Sequence, residues 1–139
     1  MQIEAFRLFV MVDDSDNELF LTKSIFQHSF PKIAFLCEKN PAAVIDIIGR
    51  YKALGVAAAQ ICLLIDIRMP KMNGFELIYR VRNDIETYDC CIVMLSSSRA
   101  ADDRDHSEAI GSDSFMAKPF SVPKLKVAIA ERKVAERLV

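Results

Sequence analysis

The segment from Ile61 to Gly74 constrains the fold more than any other stretch of the chain. It reads Ile-Cys-Leu-Leu-Ile-Asp-Ile-Arg-Met-Pro-Lys-Met-Asn-Gly, so five apolar residues run directly into one carboxylate, Asp66. A short apolar run closed by turn residues is typical of a strand buried on both faces. We therefore predict a strand that ends at Asp66, and ligands bind at the carboxyl ends of strands in open α/β sheets.

The other apolar runs predict four more strands, which alternate with helical patterns. These strands cover residues 7–12, 32–37, 91–95 and 114–117. The helices cover residues 15–30, 41–54, 74–85 and 99–110, and a last helix begins after Ser121. Regular alternation of strand and helix predicts a parallel sheet with helices on both faces and right-handed crossovers.

Three stretches carry more specific expectations. In the first helix, the apolar side is predicted to consist of Leu19, Leu21, Ile25 and Phe26. Residues 99–110 contain few apolar side chains, so that helix is predicted to be weakly anchored. Residues 56–60 are compatible with either a helical tail or a loop.

Composition excludes several classes of protein. The 139 residues fit one ordinary domain, and a net charge of -1 without a basic block argues against nucleic acid as the main partner. No signal peptide is visible, and the longest uncharged run is too short to span a membrane. The four cysteines form no metal-binding spacing, which favours reduced thiols and a cytoplasmic location.

Polar side chains follow four of the five predicted strands. Asp13 and Asp14 follow the first strand, Asp66 the third, Ser96 the fourth and Lys118 the fifth. Because the carboxyl ends of parallel strands meet at one edge, these side chains are expected to converge. Three neighbouring carboxylates require a counter-charge, and Mg²⁺ prefers oxygen ligands of this kind. A carboxylate, a metal and donors for anionic oxygens are what phosphoryl transfer needs.

In this order and at this spacing, the residues resemble the receiver domain of bacterial response regulators. The matching segments are Val12-Asp13-Asp14, Asp66-Ile67-Arg68-Met69-Pro70 with Gly74, Val93-Met94-Leu95-Ser96, and Phe115-Met116-Ala117-Lys118-Pro119-Phe120. The resemblance covers nearly the whole chain. It implies a flavodoxin-like, doubly wound (βα)5 sandwich whose five-stranded parallel sheet has the order 2-1-3-4-5. It also implies a single receiver domain over residues 5–139 without an output domain.

The resemblance implies a phosphoacceptor and a metal site. Asp66 would accept the phosphoryl group and contribute to the Mg²⁺ site. Asp14 would bind Mg²⁺ directly and Asp13 through a water molecule, and the backbone carbonyl of Arg68 would complete the protein ligands.

The resemblance also implies how the phosphoryl group is recognised and how its presence is transmitted. Ser96 would donate a hydrogen bond to it, and Lys118 would form an ion pair with it. The Lys118–Pro119 peptide bond would be cis. Ser96 and Phe115 would act as switch residues that reshape the face formed by the fourth helix, the fifth strand and the fifth helix.

The predicted partner is a sensor histidine kinase or a histidine phosphotransfer protein in two-component signalling. The downstream target stays open, with protein contacts rather than nucleic acid or membrane expected. The chain is predicted to be a monomer or a weak homodimer, the latter through Val127, Ala130 and Val134 of the last helix. It would assist its own phosphorylation and dephosphorylation but would not otherwise be an enzyme.

Departures from the family pattern leave some points open. Arg68 lies two positions after Asp66 and is predicted to tune the phosphoryl lifetime, in a direction that the sequence does not give. An extension from Arg50 to Gln60 is similar to small regulators that partner bacteriophytochrome-type kinases.

Three other functions compete with this prediction. An aspartate-nucleophile phosphatase of the haloacid-dehalogenase type is disfavoured because Arg68 stands where its second aspartate would be. A flavodoxin-like nucleotide or flavin binder is disfavoured because no glycine-rich loop follows the first strand. A receiver that only docks, without phosphotransfer, remains the alternative.

Overall fold

The computed structural model describes residues 3–69, 72–97 and 101–132. In this part of the chain, one parallel sheet has the strand order β2-β1-β3-β4-β5. Its strands are β1 (Leu8–Val12), β2 (Ala34–Glu38), β3 (Ile61–Asp66), β4 (Cys91–Ser96) and β5 (Ser114–Ala117). The helices are α1 (Asp16–Ser29), α2 (Val44–Ala53), α3 (Gly74–Arg82), α4 (Ala101–Ala109) and α5 (Val122–Ala130). The predicted fold class and strand order are confirmed.

Every residue of β1, β3 and β4 is buried, and for β3 the apolar run before Asp66 predicted this burial. Successive side chains of a strand point to opposite faces, so the sheet supplies two hydrophobic layers. Leu63 and Ile65 pack in the layer that α2 and α3 cover. Cys62 and Leu64 pack in the layer that α1 and α5 cover.

The helix α4 is attached in a different way. Its described side chains contribute nothing to the two hydrophobic layers. Its contacts include the Arg104 guanidinium, 5.7 Å from the centroid of the Phe115 ring, and the His106 ring, 4.3 Å from that of Phe75. The sequence prediction of a weakly anchored helix is consistent with these polar and aromatic contacts.

Several element boundaries differ from the predicted ones. The strand β2 begins two residues later than predicted, because α1 is followed by a turn in which the Ile33 amide donates to the Phe30 carbonyl. The helix α3 ends at Arg82, and Ile85, predicted to lie within it, is 93% exposed. Residues 56–60 form a loop with a short 3-10 turn over Ala58–Gln60.

Some expectations fall on parts of the chain that lie outside the described residues. These are the start of the fourth helix at Arg99, Pro70 of the Asp66 motif, and Val134 of the dimer seam. Within the described residues, no helix combines the length and the apolar character needed to cross a bilayer.

Candidate functional site

Three carboxylates meet at the carboxyl edge of the sheet. Asp13, Asp14 and Asp66 each offer one oxygen, and these atoms lie within 4.8 Å of one another. The strand register explains why these carboxylates lie close together. Val12 of β1 lies opposite Ile65 of β3, and Asp13 and Asp66 are the next residues after this pair. Asp13 is 1% exposed and Asp66 is 6% exposed, whereas Asp14 faces solvent.

Lys118 brings a positive charge to this acidic cluster. Its Nζ lies 3.0 Å from Asp13 Oδ2 and 3.6 Å from Asp66 Oδ1. The end of β5 is held beside β4, because the Lys118 amide donates to the Ser96 carbonyl at 2.9 Å. The Lys118–Pro119 peptide bond is cis, as the family resemblance implied.

The surroundings of these groups alter their acidity. Burial raises the pKa of Asp66 to about 6, the charge of Asp13 adds to the increase, and Lys118 opposes it. Burial alone would lower the pKa of Lys118, but the hydrogen bond to Asp13 and the charge of Asp66 outweigh that effect, so its pKa is raised. At Asp66, burial together with the charge of Asp13 therefore outweighs the effect of Lys118 on the pKa.

Backbone amides orient two of the carboxylates. The Ser15 amide donates to Asp13 Oδ1 at 2.9 Å, while Ser15 Oγ caps α1 by accepting from the Glu18 amide. The Arg68 amide donates to Asp66 Oδ1 at 3.3 Å. The backbone of Arg68 therefore lies beside the Asp66 carboxylate.

The donor set fits a hard divalent cation. The cluster offers carboxylate oxygens only, and three acids beside one ammonium leave an excess of negative charge. Mg²⁺ binds through one or two carboxylates and keeps several waters, so one solvent-facing acid, Asp14, suits it.

Ser96 and Phe115 lie on the two strands that follow β3 in the sheet. Ser96 is buried at the end of β4, one residue beyond Leu95, which is paired with Asp66. Phe115 lies half-buried on β5, paired with Met94, and packs against the layer covered by α2 and α3.

One contact of the site could not be found from the sequence. The Arg68 guanidinium forms an ion pair with Asp103 of α4, with 3.1 Å between Nη2 and Oδ2. The two residues are 35 positions apart, and no spacing rule joins them. The pair connects the loop after β3 to α4.

Gly74 allows the loop after β3 to fold back beside Asp66. A Cβ atom at this position would lie 2.6 Å from the Asp66 carbonyl oxygen and 2.9 Å from the Ile67 Cα, both backbone atoms. Gly74→Ala is expected to lower the free energy of unfolding by roughly 1–3 kcal/mol, the usual cost of overpacking. Urea denaturation would measure it.

Gly49→Ala provides the matched control. Gly49 lies within α2, is exposed, and has nothing within 4 Å of the added Cβ. Because alanine favours helix over glycine, this variant should gain up to about 1 kcal/mol. Equal effects of the two substitutions would contradict the close approach at Gly74.

The chain belongs to the response regulator receiver domain family, whose sequence model matches residues 9–130. Protein PilG of Pseudomonas aeruginosa is 31% identical over 96 residues, which cover 68% of this chain and 71% of PilG. A probable cyclic di-GMP phosphodiesterase of Vibrio cholerae is 27% identical over 118 residues, 84% of this chain. The match spans only 24% of that longer protein.

Solved structures agree on the fold. The bacteriophytochrome response regulator AtBRR superposes with a TM-score of 0.76 over 93% of this chain and 94% of its own. At 24% sequence identity, this structural similarity supports the assignment of the fold and nothing beyond it. The chain is therefore a receiver-domain response regulator of two-component signalling. Such domains generally accept phosphoryl groups, bind Mg²⁺ at an acidic pocket and interact with histidine kinases or phosphotransfer proteins.

Proposed function

We propose that this chain accepts a phosphoryl group on Asp66 from a phosphohistidine donor, with Mg²⁺ bound at the acidic cluster. The observation that carries the proposal is the position of Asp66 at a strand end, within 4.8 Å of two other carboxylates and 3.6 Å from Lys118 Nζ. Asp13, Asp14, Asp66 and the Arg68 carbonyl would hold the metal.

The contacts of the carboxylates favour Asp66 as the nucleophile. Both oxygens of Asp13 are engaged, one by the Ser15 amide and the other by Lys118. The contacts that Asp66 makes with described residues, to the Arg68 amide and to Lys118, both fall on Oδ1. We therefore assign Oδ2 of Asp66 as the attacking oxygen.

The transfer exchanges one bond to phosphorus for another. The Asp66 oxygen forms a P–O bond as the N–P bond of the donor phosphohistidine breaks, and the electron pair of that bond stays on the imidazole nitrogen. Lys118 and Ser96 supply an ammonium and a hydroxyl that donate to the phosphoryl oxygens. Mg²⁺, when bound, would neutralise charge on those oxygens.

The signal would leave through the face formed by α4, β5 and α5. A groove of about 440 Å³ runs along this face and is lined by Arg104, Phe115, Lys124 and Val127, among others. Val127 is 56% exposed, so an apolar contact is available beside the switch position Phe115. We assign this groove to the downstream protein partner.

The donor would be a sensor histidine kinase or a histidine phosphotransfer protein. Likeness of fold to the bacteriophytochrome response regulator AtBRR makes a bacteriophytochrome-type kinase the first candidate to test. If the labelled phosphoryl group of such a kinase passes to this chain, the result would support that choice.

The phosphoacceptor is tested with acetyl phosphate, Mg²⁺ and intact-mass spectrometry. The natural chain should gain one base-labile phosphoryl adduct, and Asp66→Asn should gain none. Asp46→Asn, an exposed carboxylate on α2, is the matched control and should be modified normally. An adduct that persists in Asp66→Asn would show that another residue accepts the phosphoryl group. A natural chain that neither acetyl phosphate nor a phosphohistidine donor modifies would favour a docking role without phosphotransfer.

A folding defect will not imitate this result. The pKa of Asp66 is about 6 in the fold and 3.8 in its unperturbed state, so the stability linked to its protonation is present below pH 3.8 and is lost as the pH rises through about 6. At pH 8 without Mg²⁺, Asp66→Asn removes this unfavourable charge. The variant should therefore be at least as resistant to urea as the natural chain.

A further inference from the structure

Two consecutive residues of α4 contact the loop after the proposed phosphoacceptor and the proposed switch residue Phe115. Asp103 forms the ion pair with Arg68, which lies two positions after the proposed phosphoacceptor. Arg104 places its guanidinium over the ring of Phe115 on β5. Any rearrangement at Arg68 therefore reaches α4 directly, and Phe115 through the next residue along the helix.

We infer that Arg68 and Asp103 form a latch that is closed in the unphosphorylated protein and opened by the phosphoryl group. In the closed state, Arg68 is bound to Asp103 and holds α4 beside the loop after β3. Phosphorylation of Asp66 offers Arg68 a second anion, and Arg68 leaves Asp103 to bind it. The inference rests on the proposed function, because it requires a phosphoryl group at Asp66.

The charges favour this exchange of partners. A phosphoryl group carries about −1.5 to −2 charges and three acceptor oxygens, which exceeds the single charge of Asp103. A guanidinium matches phosphate geometry with two parallel hydrogen bonds. The Arg68 amide already contacts the Asp66 carboxylate, so its side chain starts from a residue fixed at the site.

The exposure of Arg68 makes the latch reversible. Its side chain is 70% exposed, so water screens its charge and hydrates it when it leaves Asp103, whose side chain is 16% exposed. The polar attachment of α4 allows the helix to move once the pair opens, because its described side chains contribute nothing to the two hydrophobic layers. Release of Asp103 would then also displace Arg104 from Phe115.

The first test measures how tightly a phosphoryl mimic binds. Beryllium fluoride with Mg²⁺ is titrated and its bound form is followed by fluorine NMR. Because Asp103 competes with the mimic for Arg68, Asp103→Asn should tighten binding roughly two- to fivefold. Arg68→Ala should weaken binding by at least the same factor, because the mimic loses its cation.

The opposite signs distinguish a latch from a merely structural ion pair. A structural pair predicts effects of the same sign, since either substitution breaks the same contact. Glu86→Gln is the matched control, because it removes another exposed ion pair, with Lys52, on a different part of the surface. It should leave mimic binding unchanged.

The second test follows amide hydrogen exchange in α4. In the natural chain, the mimic should raise exchange over residues 101–109 roughly two- to fivefold. In Asp103→Asn, exchange should already be raised without the mimic. The double variant Arg68→Glu, Asp103→Arg, referred to as the exchanged pair, keeps opposite charges at the two positions. A glutamate in place of Arg68 has no affinity for an anion. In this variant, the mimic should therefore no longer raise amide hydrogen exchange in α4.

The outcomes separate this inference from the proposed function. If acetyl phosphate yields no adduct and the mimic does not bind the natural chain, the proposed function fails. If the mimic binds, but both substitutions weaken binding or the exchanged pair responds like the natural chain, the latch is wrong and the proposed function stands.

Discussion

Arg82→Met is expected to lower the free energy of unfolding by about 3–5 kcal/mol, because it removes the guanidinium that forms an ion pair with a buried carboxylate. Arg82 Nη2 lies 2.8 Å from Asp113 Oδ2, and the two side chains are 7% and 2% exposed. Its other donors bind the carbonyls of Gly111, Tyr88 and Cys90 at 2.7–2.8 Å. One side chain therefore ties the end of α3 to the loops before β4 and β5.

The measurement is urea denaturation followed by far-ultraviolet circular dichroism, with thermal unfolding beside it. A loss of this size in a chain of this length corresponds to a fall in melting temperature of roughly 10–20 °C. Arg80→Met, on the exposed side of the same helix, is the control and should change stability by less than about 0.5 kcal/mol. A loss under about 1 kcal/mol in Arg82→Met would show that the network is not stabilising.

A second substitution isolates the cause of the loss. Asp113 Oδ2 also accepts a hydrogen bond from the Ile92 amide at 2.8 Å, and an asparagine oxygen preserves that acceptor. Adding Asp113→Asn to Arg82→Met therefore removes the buried carboxylate charge but keeps the contact with β4. The double variant should recover part of the lost stability, because replacing both members of a buried ion pair costs less than removing one.

The cluster of acids with Lys118 was predictable because it depends on local patterns and one general rule. Apolar runs identify strands, and parallel strands place their carboxyl ends at one edge of the sheet. Once Asp13, Asp66 and Lys118 follow strands, the topology brings them together whatever the details of packing. The same reasoning gave the fold class, because the alternation of strands and helices permits few topologies.

Contacts between elements far apart in the sequence were not predictable in this way. The Arg82–Asp113 and Arg68–Asp103 ion pairs join residues 31 and 35 positions apart. Arginine and aspartate occur throughout the chain, so neither spacing nor composition marks these residues. Only the packing of α3 and α4 against the sheet decides which charges meet.

Helical periodicity also overestimated the buried surface. In α1, Leu19 and Phe26 are buried as predicted, but Leu21 and Ile25 are 56% and 42% exposed. The sheet covers one stripe of the helix, whereas the apolar pattern is wider than that stripe. Amphipathic spacing therefore predicts which side of the helix is buried better than it predicts how wide the buried surface is.

Lys118→Met is expected to have the second large effect, and this effect should depend on Mg²⁺. Without metal, Asp13 and Asp66 lose the ammonium at 3.0 and 3.6 Å, and both carboxyl groups are buried. The loss of stability should be about 2–4 kcal/mol at pH 8, somewhat less than for a fully buried pair, because Lys118 is 16% exposed. Thermal unfolding with and without Mg²⁺ would measure it.

The metal dependence identifies the site, because Mg²⁺ and Lys118 neutralise the same carboxylates. Mg²⁺ should therefore raise the melting temperature of Lys118→Met more than that of the natural chain or of Lys126→Met, an exposed lysine on α5. Phosphorylation by acetyl phosphate should still slow about 10²-fold, because a metal does not replace the donor to the phosphoryl oxygens. If Mg²⁺ stabilised all three proteins equally, the cation would be bound elsewhere, and Asp13 and Asp66 would not form the metal site.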